Sequence, residues 1–263
     1  MNEFVNYNAE LDNLFDKWIM HYPLEQQQLF CKDGLMRKAN GLNVDQIWEK
    51  SKRRVAFILK DNPDGWGHDT RTWLTMEKDI NRELRTAFIK RLAKLFFGLQ
   101  EANYNVPVND CYVMDRSKAN AVKKTWNEQP FAFIESKKLA GGKTISETTL
   151  NQHIDNDKEF LIEELNILKP NIIVCCNHTG DSIFNFVTQK YIGRDPDERY
   201  EGDYILDDGS TVPNLNLCLY YYKYKEENVV VIKSYHPSAR AGWKFYEKVF
   251  SPYRAFLREH HDF

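Results

Sequence analysis

The chain has 263 residues, 42% of them apolar and 14% aromatic, which is enough for the core of one large α/β domain or two small domains. Because 36 Lys and Arg residues stand against 38 Asp and Glu residues, the formal net charge is −2, which excludes a protein that coats nucleic acid by charge alone. The apolar runs are too short to cross a bilayer and the acidic, polar N-terminus is unlike a signal peptide, so we expect a cytoplasmic protein without membrane contact.

Local composition gives no sign of a disulfide framework or a metal site. The five cysteines are an odd number, and no Cys-x-x-Cys pair or His/Cys cluster has the spacing of metal ligands. We therefore expect no metal and no cofactor. Basic runs at 50–54, 90–94 and 118–124 are interpreted as solvated surfaces, the usual place of charged runs.

The first 50 residues have the periodicity of helices. Apolar side chains recur at helical spacing at Phe4, Leu11, Leu14, Phe15, Trp18 and Ile19. Pro23 suits the first turn of a second helix. We interpret residues 1–50 as a helical extension packed on a main domain of residues 51–263.

From residue 55 the pattern changes to that of strands. The short apolar run "VAFIL" at 55–59 precedes the turn-rich "DNPDGWG", which predicts a buried strand entering a loop. Residues 76–99 predict a long helix, and "CYVM" at 111–114 predicts a second strand.

The clearest unit lies within residues 155–180. Asp155 or Asn156 can cap a helix with an apolar stripe, and Pro170 ends this helix before the buried strand "NIIVCC". A helical stretch near residue 181 follows, then strands at 217–222 and 229–233.

The chain ends in an amphipathic helix, "KFYEKVFSPYRAFL", and the turn-rich residues 194–213 are interpreted as an inserted loop or hairpin. Strands separated by helices predict a three-layer α/β/α fold with a central, mainly parallel sheet.

Polar segments follow four predicted strands: "KDNPDGWG", "DRSKAN", "NHTG" and "SYHPSAR". In a parallel sheet such segments converge on one crevice, where ligands bind. In the last segment, Pro237 disfavours the helical conformation for His236, so the histidine is presented at a strand end. Asn62 and Trp66 hold the equivalent place after the first strand.

These motifs resemble the uracil-DNA glycosylase superfamily, whose members have a Gly-x-Asp/Asn-Pro loop after the first strand and a His-Pro-Ser loop after the last. The segment 169–180, a Lys-Pro pair followed by an apolar strand and a glycine, is similar to the one they carry between these loops. "NPDGWG" is most similar to the corresponding loop of the single-strand-selective monofunctional branch, which also has an arginine where Arg240 stands. The likeness covers ordered pieces of residues 54–250, and it implies the same three-layer fold.

The resemblance implies a role for each motif residue. His236 would donate a hydrogen bond to the anionic base that leaves when the N-glycosidic bond breaks, and Asn62 would orient the water. Pro63 and Trp66 would contact the extruded base, with Trp66 stacking on it. Ser238 would contact a DNA phosphate, and Arg240 would fill the gap in the base stack.

Two departures from the family pattern affect the expected specificity. Lys60 stands where the family has glycine, followed by Asp61, which puts the shape of the pocket in doubt. In the family an asparagine contacts the edge of the base. The candidates for that contact here are Asp115 and Asn177. An ionised Asp115 accepts hydrogen bonds only, which favours a cytosine-like or modified base over uracil.

The sequence therefore predicts a metal-independent DNA glycosylase that removes uracil or another damaged or modified base. Two alternatives stay open. One is a non-catalytic relative that binds nucleic acid, motivated by Lys60 and Asp61 and by the nearly neutral charge. The other is an α/β enzyme acting on small nucleosides or nucleotides.

Overall fold

Strands and helices alternate along the chain in a mixed α/β fold. The computed structural model describes residues 5–38, 41–62, 67–73, 86–142, 144–177, 180–225 and 227–263. Within these ranges a single seven-stranded sheet has helices on both faces, which confirms the α/β class. No helix in these ranges combines the length and the apolar character that crossing a bilayer requires.

The sheet has the order β1-β3-β2-β4-β7-β6-β5. Its strands are β1 Gly34–Leu35, β2 Val55–Asp61, β3 Ala132–Lys137, β4 Ile172–Cys176, β5 Glu198–Ile205, β6 Thr211–Tyr224 and β7 Glu227–Ser234. The four neighbours β3, β2, β4 and β7 run parallel, whereas β1, β6 and β5 join the sheet by antiparallel pairs. The sheet is therefore mixed, and the expected parallel arrangement applies to its centre alone.

The helices form two layers. Those in the described ranges are α1 Tyr7–His21, α2 Leu24–Gln27, α3 Val44–Lys50, α4 Thr70–Trp73, α5 Ala87–Glu101, α6 Asp110–Met114, α7 Ala119–Glu128, α8 Glu147–Leu168, α9 Ser182–Asn185 and α10 Lys244–Glu259. A π-helix, Phe186–Ile192, continues α9. We call the side of the sheet covered by α1, α3, α8 and the π-helix the α1 face, and the side covered by α5, α7 and α10 the α10 face.

The parallel strands are buried on both faces, and successive side chains alternate between two cores. In β2, Ala56 and Ile58 join the core on the α1 face, whereas Val55, Phe57 and Leu59 join the core on the α10 face. This alternation follows from the two-residue period of a strand. It explains why "VAFIL" is apolar without interruption, because both of its faces are covered.

The prediction of a strand at "CYVM" is wrong, because these residues belong to helix α6. The Asn109 side chain accepts a hydrogen bond from Tyr112 N at 2.8 Å and so caps the helix. Within α6 only Val113 is buried, and Met114 is exposed. The second strand of the parallel set is instead β3, whose six residues are all buried although three of them are polar.

Helix α8 begins eight residues before the predicted caps at Asp155 and Asn156. The Ser146 side chain accepts a hydrogen bond from Thr149 N at 3.1 Å, and Glu147 is the first helical residue. The first turns are mostly polar, but Leu150 and Ile154 are buried there, so the apolar stripe runs from the start of the helix. At its other end Lys169 is left-handed with φ of 46°, and Pro170 follows as predicted.

The N-terminal segment and the insertion both contribute to the sheet structure. Helix α1 places Leu11, Phe15 and Trp18 in the core of the α1 face, and β1 pairs with β3. The boundary at residue 50 stays a prediction. Residues 194–213 carry the turn of a hairpin between β5 and β6, the hairpin that was one of their two predicted forms. Of the predicted helix at 76–99, residues 87–99 lie in α5, and residues 76–85 lie outside the described ranges.

Candidate functional site

The carboxyl ends of the four parallel strands lie side by side at one edge of the sheet. In the order β3, β2, β4 and β7, these ends carry Lys137, Asn62, Asn177 and His236. The carboxyl edge of a parallel sheet is where ligands bind in such folds. Of the predicted residues near this edge, Pro63 and Trp66 lie outside the described ranges.

Asn62 is almost fully buried, with 4% of its surface exposed. Its side-chain amide nitrogen lies 3.3 Å from Cys31 Sγ and 3.0 Å from His68 Nδ1, and its main-chain oxygen accepts a hydrogen bond from Gly141 N. Burial raises the pKa of the Cys31 thiol to about 11, so this thiol is neutral at pH 7 and is a poor nucleophile. Of the Cys31 thiol and the Asn62 carboxamide, the carboxamide is therefore the group that could act on a substrate.

The loop from His236 to Arg240 fixes the tautomer of its histidine. Ser238 N donates a hydrogen bond to His236 Nδ1 at 3.2 Å. A ring nitrogen that accepts a hydrogen bond carries no proton, so this contact favours the tautomer with its hydrogen on Nε2. The His236 ring also lies 5.7 Å from the ring of Phe88, at the start of α5. Ser238 and Arg240 are both exposed on this loop.

Arg91 of α5 holds the same loop by its backbone. Its Nη1 atom donates to Pro237 O at 2.8 Å and to Ala239 O at 2.5 Å. The interpretation of residues 90–94 as a solvated surface is therefore wrong for Arg91. Sequence patterns show a basic run, but they do not show that one of its side chains turns toward main-chain carbonyls of a distant loop.

Asn177 links the ends of β4 and β7. Its main-chain nitrogen donates to Ser234 O at 3.2 Å, and its side chain donates to both oxygens of Glu147 at 3.0 and 3.2 Å. Burial raises the pKa of Glu147, but the hydrogen bonds from Ser182 and Asn177 outweigh it, and the pKa lies below its ordinary value. The Asn177 side chain is thus oriented by an ionised carboxylate at the first turn of α8.

Gly180 is required by this arrangement. A Cβ atom added at this position would lie 2.0 Å from the carboxyl carbon of Glu147. Any side chain here would displace the carboxylate from Asn177 and Ser182. The glycine that ends the predicted segment 169–180 therefore has a local packing reason.

Asp115 does not lie beyond a central strand, because the strand predicted before it is helix α6. It is exposed and accepts a hydrogen bond from Ser117 N at 2.8 Å, which caps a short 3₁₀ turn. The structure thus accounts for Asp115 by local capping. The strand end beside β2 belongs to β3.

The end of β3 carries charged groups that the sequence interpretation did not single out. Lys137 Nζ lies 3.7 Å from Asp61 Oδ2, and burial raises the Asp61 pKa while Lys137 opposes that effect. Asp61, which follows Lys60 in the loop that departs from the family pattern, therefore has a cation partner on the next strand. The apolar run "FAFI" before "ESKK" is the signal that could have identified this strand.

Asn62, Asn177 and His236 follow adjacent strands, yet the described contacts of Asn62 and His236 belong to different layers. Cys31, which contacts Asn62, follows Phe30 in the core of the α1 face, whereas Phe88 packs against the core of the α10 face. The two side chains can share a ligand only above the sheet edge, where the two layers meet.

In the described part of the chain, no group of three or more His, Cys, Asp or Glu side chains is placed to hold a metal ion. Comparison of the chain with known protein families and with curated proteins finds no match.

Proposed function

We propose that the protein is a cytoplasmic DNA glycosylase that hydrolyses the N-glycosidic bond of uracil or of another damaged or modified base. The observation that carries the proposal is the adjacency of β2, β4 and β7, whose ends bear the three segments of the family likeness. Segments separated by more than 50 residues in the sequence thereby come to one edge of the sheet.

The geometry of His236 supports its proposed role. Breaking the glycosidic bond leaves negative charge on the base, and a neutral imidazole with its proton on Nε2 can donate a hydrogen bond to that charge. The Ser238 amide favours this tautomer, and Arg91 holds the loop that carries it. Asn62 orients water through its carboxamide; since an amide is not a base, bond breaking precedes attack by water.

The charge near the loop also supports a DNA partner. Residues 87–128, which include α5 and α7, contain seven Lys and Arg against four Asp and Glu, and Lys90, Arg116 and Lys124 among them are exposed. Exposed basic side chains can neutralise phosphates, and such binding weakens as the salt concentration rises. Ser238 and Arg240 extend this surface beside His236.

An excision assay tests the proposal with single- and double-stranded oligonucleotides carrying uracil or modified bases. We expect abasic product, and we expect His236→Ala to lower its rate about 10²- to 10³-fold, the usual effect of losing one such donor. Asn62→Ala should also lower the rate. His261→Ala and Asn105→Ala change exposed residues of the same types and serve as controls.

The proposal is wrong if no substrate yields abasic product, or if the product forms equally fast in the two site variants. Release of a base from free nucleosides but not from oligonucleotides would identify the small-molecule alternative.

A specific observation favours a second candidate, a non-catalytic protein that binds nucleic acid. The Asn62 amide nitrogen already lies against Cys31 and His68. If these contacts persist with DNA bound, the Asn62 amide nitrogen is not available to the attacking water. Binding to DNA that falls steeply with salt, without base release, is the result expected of this candidate.

A further inference from the structure

A groove lies on the α1 face between α9, the π-helix and the hairpin formed by β5 and β6. It has two lobes with volumes of about 390 and 440 Å³. Phe184, Asn185 and Tyr220 line both lobes, so the groove is continuous. It is separate from the strand ends that carry Asn62 and His236. π-Helical turns of this kind are frequent at functional sites.

One lobe is acidic. Asp181, Glu201 and Asp203 line it, and Lys233 is its single cation. Lys233 forms an ion pair with Asp181, which leaves Glu201 and Asp203 without a lysine or arginine partner among the residues lining the lobe. Glu201 contacts two uncharged groups, Cys218 Sγ at 3.8 Å and the Tyr220 hydroxyl. Two carboxylates in this lobe are therefore available to a cation.

The floor between the lobes is aromatic. The rings of Phe184 and Tyr220 lie 5.1 Å apart in an edge-on arrangement. The Arg199 guanidinium lies 5.0 Å from the centre of the Tyr220 ring, which shows that this floor accepts a planar cation. A second guanidinium could contact the aromatic floor from the acidic lobe while pairing with Glu201.

The second lobe has an unused hydrogen-bond group. Tyr222 lines it and is fully buried, and its hydroxyl has no hydrogen-bond partner among the described residues. A buried polar group without a partner is costly, so such groups are normally satisfied by water or ligand. The hydroxyl is closed to solvent, so a peptide carbonyl in this lobe reaches it only when a neighbouring side chain moves.

The charge of the whole hairpin is complementary to a cationic ligand. Residues 194–213 contain seven Asp and Glu against two Arg, in a chain whose total net charge is only −2. A patch of one sign steers partners of the opposite sign and repels nucleic acid. Asp203 lines the acidic lobe and Arg199 lines the second lobe. The strand rises by about 13 Å between them, so a ligand that spans both lobes needs about four extended residues.

We propose that this groove binds an extended segment of a partner protein, with an arginine or lysine side chain in the acidic lobe. The cation pairs with Glu201 and Asp203 and lies on the aromatic floor, and the backbone continues past Tyr222. The proposal does not depend on glycosylase activity, because the groove shares no residue with the strand-end site.

Fluorescence anisotropy with a labelled octapeptide of alternating Arg and Ser residues tests the proposal. We expect saturable binding that is weakened at least about tenfold in the double variant E201Q/D203N, because each lost charge-assisted contact is a substantial part of the binding free energy. The matched control D207N/D208N removes two charges from the tip of the same hairpin, outside the groove, and should bind within about twofold of the wild type.

Three results would overturn the proposal: no saturable binding by the wild type, an equal loss in both double variants, or displacement of the peptide by free arginine as effectively as by unlabelled peptide. The last would identify a small-molecule site. Excision activity measured on E201Q/D203N separates this proposal from the glycosylase proposal, since each can fail while the other holds.

Discussion

The two edges of the sheet use ionisable residues in opposite ways. Beside β3, Asp33, Lys138 and Glu164 have side chains with 0% exposure. In the hairpin at the other edge, most of the acids are exposed. Charges in the first region hold the N-terminal segment to the sheet, whereas those of the hairpin are available to partners. Buried charges thus support the structure at one edge, whereas the exposed acids at the other edge include those of the proposed groove.

The buried cluster links three separate parts of the chain. Lys138 Nζ lies 2.5 Å from Asp33 Oδ1 and 2.9 Å from Glu164 Oε2, and Asp33 also accepts from Glu135 N at 2.7 Å. Burial lowers the pKa of Lys138, but Asp33 and Glu164 outweigh it, so the pKa is raised and the lysine stays charged. Lys138 is therefore the cation on which both carboxyl groups depend.

The largest expected effect comes from Lys138→Met. Removing one partner of a buried ionic cluster leaves the others uncompensated, and the free energy of unfolding should fall by about 3 to 5 kcal/mol. The matched control is Lys233→Met, which breaks the Lys233–Asp181 pair; with side chains 29% and 51% exposed, it should cost less than about 1 kcal/mol. Urea denaturation of both variants measures the difference. Equal losses would show that the two regions do not differ.

A smaller effect is expected from Gly180→Ala. The added methyl group displaces Glu147 from Asn177 and Ser182, and the lost hydrogen bonds should reduce the unfolding free energy by about 1 to 3 kcal/mol. Gly142→Ala is the control, because a Cβ there meets nothing within 4 Å. In a Glu147→Ala background the cost of Gly180→Ala should disappear. A cost that persists in that background would contradict the proposed clash.

The third prediction concerns Lys38, just after β1. Burial lowers the pKa of Lys38 to about 7, and Nζ lies 2.7 Å from Trp126 O. Because the unfolded lysine keeps its proton to higher pH, unfolding takes up a proton between about pH 7 and 10, and stability due to this group rises with pH there. The slope is about 1 kcal/mol per pH unit.

Thermal or urea unfolding of wild type and Lys38→Met between pH 7 and pH 9 checks this dependence. As the pH rises, the unfolding free energy of the wild type should increase relative to that of Lys38→Met. A difference that is constant with pH would show that Lys38 keeps its proton in the folded state.

Much of the fold could be predicted from local patterns, because each pattern reflects burial. β2, β4 and β7 are uninterrupted apolar runs, and they were identified for that reason. β3 was missed because its last three residues are Glu135, Ser136 and Lys137, whose burial depends on partners distant in the sequence. Secondary-structure propensity depends on residues that are close in the sequence, so it does not identify such partners.

The candidate site also has residues that the sequence predicts and residues that it does not. The sequence placed Asn62, Asn177 and His236 at strand ends, and the topology makes those strands adjacent. The positioning groups Arg91 and Glu147 could not be predicted, since each acts on a segment more than 25 residues away. Asp115 was assigned to the wrong kind of element, and its expected contact with the base edge stays a prediction.

Arg91 holds the loop after β7 through two main-chain oxygens and through no side chain of the loop. Every amino acid has the same carbonyl group, and these two belong to Pro237 and Ala239, so the two contacts use neither side chain at 238 and 240. Exchanging these two exposed residues should alter what the loop contacts while the frame around His236 stays in place. The loop is thus a natural site for a combinatorial library, in which preference for a ligand is varied without redesigning the fold.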